Sequence, residues 1–165
     1  METDKAEIEN EISKWRDGRL SKDEVRKLPS KIGKAEYTLA VPVLVELAHS
    51  DDPILRYNVI MSLAFKLQYK DSRSLLSILA ETDPDVDCRD AAAAGLGFLF
   101  SNSHDCPLIL LLAKIARNDS DEDVRCAAFS ALLRVSGCAN EEQLLLQRPS
   151  VDEATIRKIE SECLR

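Results

Sequence analysis

The sequence predicts an all-α protein: a right-handed solenoid of about five stacked helix pairs, the outer two irregular. Three observations carry this expectation. Good helix formers dominate, with 23 Leu and 17 Ala among 165 residues against 5 Gly and 6 Pro. A motif recurs as Asp52-Pro-Ile-Leu-Arg56, Asp85-Val-Asp-Cys-Arg89 and Asp121-Glu-Asp-Val-Arg125, its arginines 33 and 36 residues apart. Each motif follows an apolar block ending alike (Leu47-Ala48, Leu79-Ala80, Ile115-Ala116) and precedes a triplet centred on Leu63, Leu96 or Leu132. A period in the thirties with two apolar helical blocks per unit is the mark of stacked helix pairs.

The elements follow in order. Glu2–Trp15 is an amphipathic helix with Ile8, Ile12 and Trp15 on one face. Lys22–Gly33 reads as a degraded second helix carrying Val25, Arg26, Leu28 and Ile32, and Pro29 is expected to split it. The first helices of the clear units are Ala40–His49, Ser72–Glu81 and Cys106–Arg117, with Pro42 and Pro107 in first turns, where a missing N–H costs little. The second helices are Ile54–Leu67, Asp85–Phe100 and Glu122–Val135. Val124, Ala127, Ala128, Ala131 and Leu132 form one stripe of period 3.6 whose small residues let neighbours approach. The Asp opening each second helix can cap its N–H groups, and its spacing to the Arg permits an ion pair along the first turn. Asn140–Gln147 is expected to be a short helix, and Ser150-x-x-Glu153 a capping box for a last helix reaching Cys163. The chain is thus expected to be one domain: an N-terminal cap and degenerate repeat over 1–33, three clear repeats over 34–137, and C-terminal cap helices over 138–165.

Composition excludes several functions. With 22 basic and 29 acidic residues the net charge is −7 and the pI near 4.9, against a general binder of phosphate backbones. The basic stretch Lys22, Arg26, Lys27, Lys31 and Lys34 does not outweigh this, so no nucleic-acid partner is expected. The acidity suits a basic protein partner, but plain solubility is by itself a sufficient reason for it. The longest apolar run, Ala91–Phe100, has ten residues, half of what a membrane span needs. Met1–Glu11 is acidic and lacks an apolar leader stretch, so a cytoplasmic protein is expected. Cys88, Cys106, Cys126, Cys138 and Cys163 are odd in number and hold no C-x-x-C pair, which reads as small buried hydrophobes in a reducing compartment.

Ile32-Gly33 followed by Ala40-Val-Pro-Val-Leu-Val-Glu-Leu-Ala-His-Ser-Asp-Asp-Pro53 resembles a HEAT repeat, and is especially similar to the phycobilisome-lyase-like HEAT group. Lys70-Asp-Ser-Arg-Ser74, Asp83-Pro84-Asp85 and Asp123-Val-Arg-Cys-Ala-Ala128 carry the same likeness, which covers Ile32–Gly137. The resemblance implies an Asp–Arg ladder between repeats and a role among adaptors, inhibitors or chromophore lyases. Asp87 departs from the family pattern, and the loop Ser101–Asp105 is longer than usual.

The chain shows no G-x-x-x-x-G-K, H-E-x-x-H or G-x-S-x-G, and no catalytic, cofactor or metal set is expected. Gly95-Leu-Gly97 lies inside a helical pattern and reads as packing, not as a dinucleotide turn. His49 falls at a helix end, and His104 with Cys106 offers two metal ligands at best. Two surfaces remain. One is the row of acidic turns (Asp51, Asp52; Asp83, Asp85, Asp87; Asp119, Asp121, Glu122, Asp123), where capping alone is a sufficient reason for the charge. The other is the concave face of the second helices: Tyr57, Ile60 and Met61, then Asp90, then Cys126, Phe129 and Leu133, preceded by Lys27 and Lys31. Such apolar residues on a face turned to solvent imply a partner, or cover by tight curvature or by the C-terminal segment. The expected function is a non-enzymatic protein–protein interaction module, an adaptor or scaffold binding in that groove. An inhibitor or immunity-type protein masking a basic enzyme is one alternative, and a chromophore-lyase-like subunit is another.

Overall fold

A computed structural model describes residues 2–139 and 149–163, and within them the chain is all-helical, with no strand. The helices are α1 Glu2–Arg16, α2 Lys22–Lys34, α3 Val41–Leu47, α4 Pro53–Met61, α5 Arg73–Thr82, α6 Val86–Leu99, α7 Cys106–Asn118, α8 Glu122–Val135 and α9 Glu153–Cys163. Short 3-10 turns lead into α3 and α5, at Thr38–Ala40 and Lys70–Ser72. The expected helix at Asn140–Gln147 lies outside the described residues. Two compact units form, Met1–Ser72 and Arg73–Arg165.

In the first unit α1 packs on α2, α3 on α4, and α2 on α4. In the second α5 packs on α6, α7 on α8, α6 on α8, α5 on α7, and α9 on α7. Helices therefore stack as neighbouring pairs within each unit, the arrangement of a HEAT-like helical solenoid.

The caps explain where the second helices start. Asp52 accepts from the Ile54 N–H at 3.2 Å, Asp85 from Cys88 at 3.1 Å, and Asp121 from Asp123 and Val124 at 2.9 and 3.3 Å. These carboxylates cap helices; the arginine four residues on from each looks elsewhere. Arg56 Nη1 donates to the Ser50 carbonyl at 2.8 Å, Arg89 Nη1 to Asp83 O at 3.0 Å, and Arg125 Nη1 to Asp119 O at 2.8 Å. The expected ion pair along the first turn gives way to a latch on the preceding turn, because the helix end leaves carbonyls without donors.

Pro29 does not split α2, which runs unbroken through it. A proline removes one helical N–H and crowds the preceding turn. Here a row of side chains from the next pair supplies donors around it: Asn58 Nδ2 to Arg26 O at 3.0 Å, Ser62 Oγ to Pro29 O at 2.7 Å, and Lys66 Nζ to Ser30 Oγ at 2.7 Å. The last two sit in a π-helical turn, Ser62–Lys66, that continues α4. Gly33 makes room for that row, since a Cβ there would lie 2.7 Å from Lys66 Cδ. At the other end Asp152, not Ser150, caps α9, accepting from Thr155 N at 3.1 Å, while Glu153 turns to Arg117.

The core of the second unit depends on small residues. Val124, Ala127, Ala128, Ala131 and Leu132 are all buried on α8, and Ala92, Gly95, Leu96 and Gly97 on α6. A Cβ on Gly97 would lie 2.6 Å from the Ala131 Cα, a backbone atom that cannot step aside. Gly97→Ala gains about 1 kcal/mol of helix propensity but overpacks by about 1–3 kcal/mol or more. The clash wins: urea denaturation should show a lower midpoint for the variant. Ala128→Asp should cost several kcal/mol, because it buries an unpartnered charge, and circular dichroism should show loss of helix at room temperature.

Candidate partner-binding surface

In the first unit the exposed side of α4 presents Ile54, Tyr57 and Met61 at steps of three and four residues, one stripe of a helix. Tyr57 is 37% exposed and Met61 half-buried. Ile60 is 0% exposed and belongs to the core. Lys27 is exposed on α2, whereas Lys31 is ion-paired with Glu11 of α1. The N-terminal helix therefore neutralises one of the two cations expected on this face.

In the second unit the outward positions of α8 are Asp123, Cys126, Ser130 and Leu133, spaced three, four and three residues apart. Cys126 and Leu133 are half-buried there, and Asp90 is half-buried on α6. Phe129 is 3% exposed and faces inward. The same cause removes Ile60 and Phe129 from the surface. Each sits on a helix packed against two neighbours, α4 on α2 and α3, α8 on α6 and α7, so a wider arc is buried than one stripe covers. Phe129→Ala is accordingly a core truncation, with an expected loss of about 3–5 kcal/mol in thermal or denaturant unfolding.

Two sets of carboxylates stand out at and beside the acidic turns. Asp52 and Asp119 are consumed by arginines. Arg26 donates from Nε and Nη2 to Asp52 at 2.7 and 3.1 Å, and Arg89 to Asp119 at 2.9 and 3.0 Å. The Arg89 fork is the Asp–Arg rung between repeats that the family resemblance implies. In the first unit Ser50 stands where the second has Asp83 and Asp119, and Arg26 finds its carboxylate two residues on, at Asp52. Burial pushes the Asp119 carboxyl up, but the Arg89 guanidinium and the Asp121 N–H together hold it below its ordinary value.

The second set lines an open cavity of about 360 Å³ in the second unit: Asp87 and Asp90 from α6, Asp121 and Asp123 at the start of α8, with Val86 beside them. Asp90 is the one residue shared by this cavity and the face expected from the sequence. Asp87, which departs from the family pattern, is a second member of it. No cluster of three or more His, Cys, Asp or Glu among the described residues is arranged to hold a metal ion. No described helix is long and apolar enough to cross a membrane.

A further charged cluster fixes the last helix. Arg117 reaches from the end of α7 to Glu153 at 3.0 and 3.1 Å and to Glu160 at 2.7 Å through both terminal nitrogens. The guanidinium holds both carboxyls below the usual range; Arg157 adds to the effect at Glu153. A depressed folded-state pKa stabilises above the unfolded value, near 4.3 for Glu, and that contribution is lost as pH falls through the lower folded value. The melting temperature should therefore drop as pH is lowered from about 4.5. In Glu153→Gln/Glu160→Gln this pH dependence should be shallower, as followed by thermal melts.

Residues 30–97 match the family model of HEAT repeats. Comparison with curated proteins and with solved structures gave no match. HEAT repeats generally mediate protein–protein interaction and typically act as non-catalytic scaffolds. The repeat motif, the stacked helix pairs and the match over residues 30–97 agree, and together they support a HEAT-repeat protein.

Proposed function

We propose that this chain is a non-enzymatic interaction module that binds a basic segment of a protein partner at the α6–α8 face of its second unit. The observation that carries this reading is the cavity lined by Asp87, Asp90, Asp121 and Asp123, continued along α8 by the half-buried Cys126 and Leu133. An acidic mouth beside apolar and small side chains is the common pattern of a polar rim flanking a contact core. Opposite charge speeds encounter and rejects acidic competitors. The cavity also favours the inhibitor reading, in which the basic segment surrounds an enzyme's active site. In the first unit Ile54, Tyr57 and Met61 form a second, apolar contact surface. Aromatic and Met side chains supply much contact area for little ordering cost.

The test is charge reversal. Partners captured by the wild-type chain are measured by calorimetry against wild type and Asp87→Lys/Asp90→Lys. The reversal should weaken binding by about tenfold or more, the wild-type affinity should fall with salt, and thermal melts should confirm the fold. Where the partner is an enzyme, its activity is assayed with added chain. A reversed variant that binds as tightly as wild type refutes the acidic site. Added bilin should leave the visible spectrum unchanged; a shifted and intensified band would instead support the lyase-like reading.

A further inference from the structure

Cysteines 106 and 163 are far apart in sequence but not in the second unit. Arg117, in the last turn of α7, meets Glu153 in the first turn of α9. From that pair the chain runs back 11 residues to Cys106, the first residue of α7, and forward 10 residues to Cys163, the last of α9. At about 1.5 Å per residue these are about 16 and 15 Å; Arg117 also reaches Glu160, seven residues further on, so an antiparallel pair of helices brings the two cysteines within about two turns of one level. The faces agree as well. Glu153, Ile156, Glu160 and Cys163 follow each other at steps of three, four and three on α9; Cys106, Ile109, Ala113 and Arg117 do so at three, four and four on α7. Ile109, Ala113 and Ile156 are buried. Burial and then the Cys106 thiol raise the Cys163 thiol, and both cysteines are free and half-buried.

We propose that Cys106 and Cys163 form a redox-responsive thiol pair, which a small disulfide oxidant of the glutathione class converts to a disulfide that locks α9 onto α7. The step balances. The Cys106 thiolate attacks oxidised glutathione, forming a mixed disulfide and releasing one glutathione thiolate. Cys163 loses its proton to solvent and attacks the Cys106 sulfur, releasing the second. Two protein thiols are oxidised by two electrons, and one glutathione disulfide is reduced to two thiols. The order follows from the environments: burial and then the Cys106 thiol push the Cys163 thiol up to about 11, so Cys163 is the resolving group. In the reduced chain α9 is held by Ile156, Ile159 and the Arg117 pairs. In the oxidised chain it is held covalently as well.

The experiment uses the full chain, treated with oxidised glutathione at about pH 8 and mapped by non-reducing peptide mass spectrometry. A peptide linking Cys106 to Cys163, and a melting temperature that rises on oxidation and falls back with dithiothreitol, are expected. Closure should speed up as pH rises from about 7 to 9, following the Cys163 thiolate. Cys163→Ser should stop at a single glutathione adduct on Cys106, and Cys106→Ser should yield no crosslink. Glutathione adducts without the crosslink, a disulfide through the exposed Cys138 in its place, or an oxidised chain that melts where the reduced one does would overturn the proposal.

Discussion

The end of each first helix poses a problem that the rest of the structure depends on solving. A helix C-terminus leaves its last carbonyls without N–H partners, and here the chain must turn at once into a second helix. Arg56, Arg89 and Arg125 answer it at the same offset, each donating to a carbonyl six residues earlier. That latch fixes the second helix against the end of the first. A guanidinium has a further edge to offer, and Arg89 turns it to Asp119 of the following pair. One side chain thus closes its own pair and registers the next, and Arg26 does the second half of this task at Asp52. The charged row on the turns is mainly the means of stacking. Asp87, Asp90, Asp121 and Asp123 give the second unit its acidic mouth.

Much of this was legible because the repeat is written in local terms. The motif fixed the starts of α4, α6 and α8 within one or two residues, and the small stripe on α8 named its core face. What escaped was whatever depends on a neighbour. Pro29 reads as a break until Asn58 and Ser62 arrive from the next pair. Asp and Arg four apart read as a pair until the carbonyls of the turn compete for the arginine. Ser150 and Glu153 read as a capping box until Asp152 and Arg117 claim the two roles.

The candidate binding face was legible only in part, for the same reason. A helical wheel separates one core stripe from the rest. It gives no warning that a helix wedged between two others buries its flanks, which is where Ile60 and Phe129 lie. Ile54 carries a signal that could have been used: it stands three residues before Tyr57, outside the buried set. The pairing of Lys31 with Glu11 needed the N-terminal helix in place. The proximity of Cys106 and Cys163 needed the direction of α9, which no local pattern contains.

The long loop after α6 has one further consequence. Asn102 and His104 adopt left-handed φ values of 57° and 53°, which turn their N–H groups onto the Arg134 and Val135 carbonyls at the end of α8 at 2.8 and 2.9 Å. Gly137, at φ 73°, leaves room there, since a Cβ would come 2.9 Å from the His104 ring. The end of α8 is thus closed by a segment about thirty residues upstream, so it cannot fray by itself. Its last turn opens only when the loop lets go, and the amide protons of the two segments should be lost to solvent in one cooperative step.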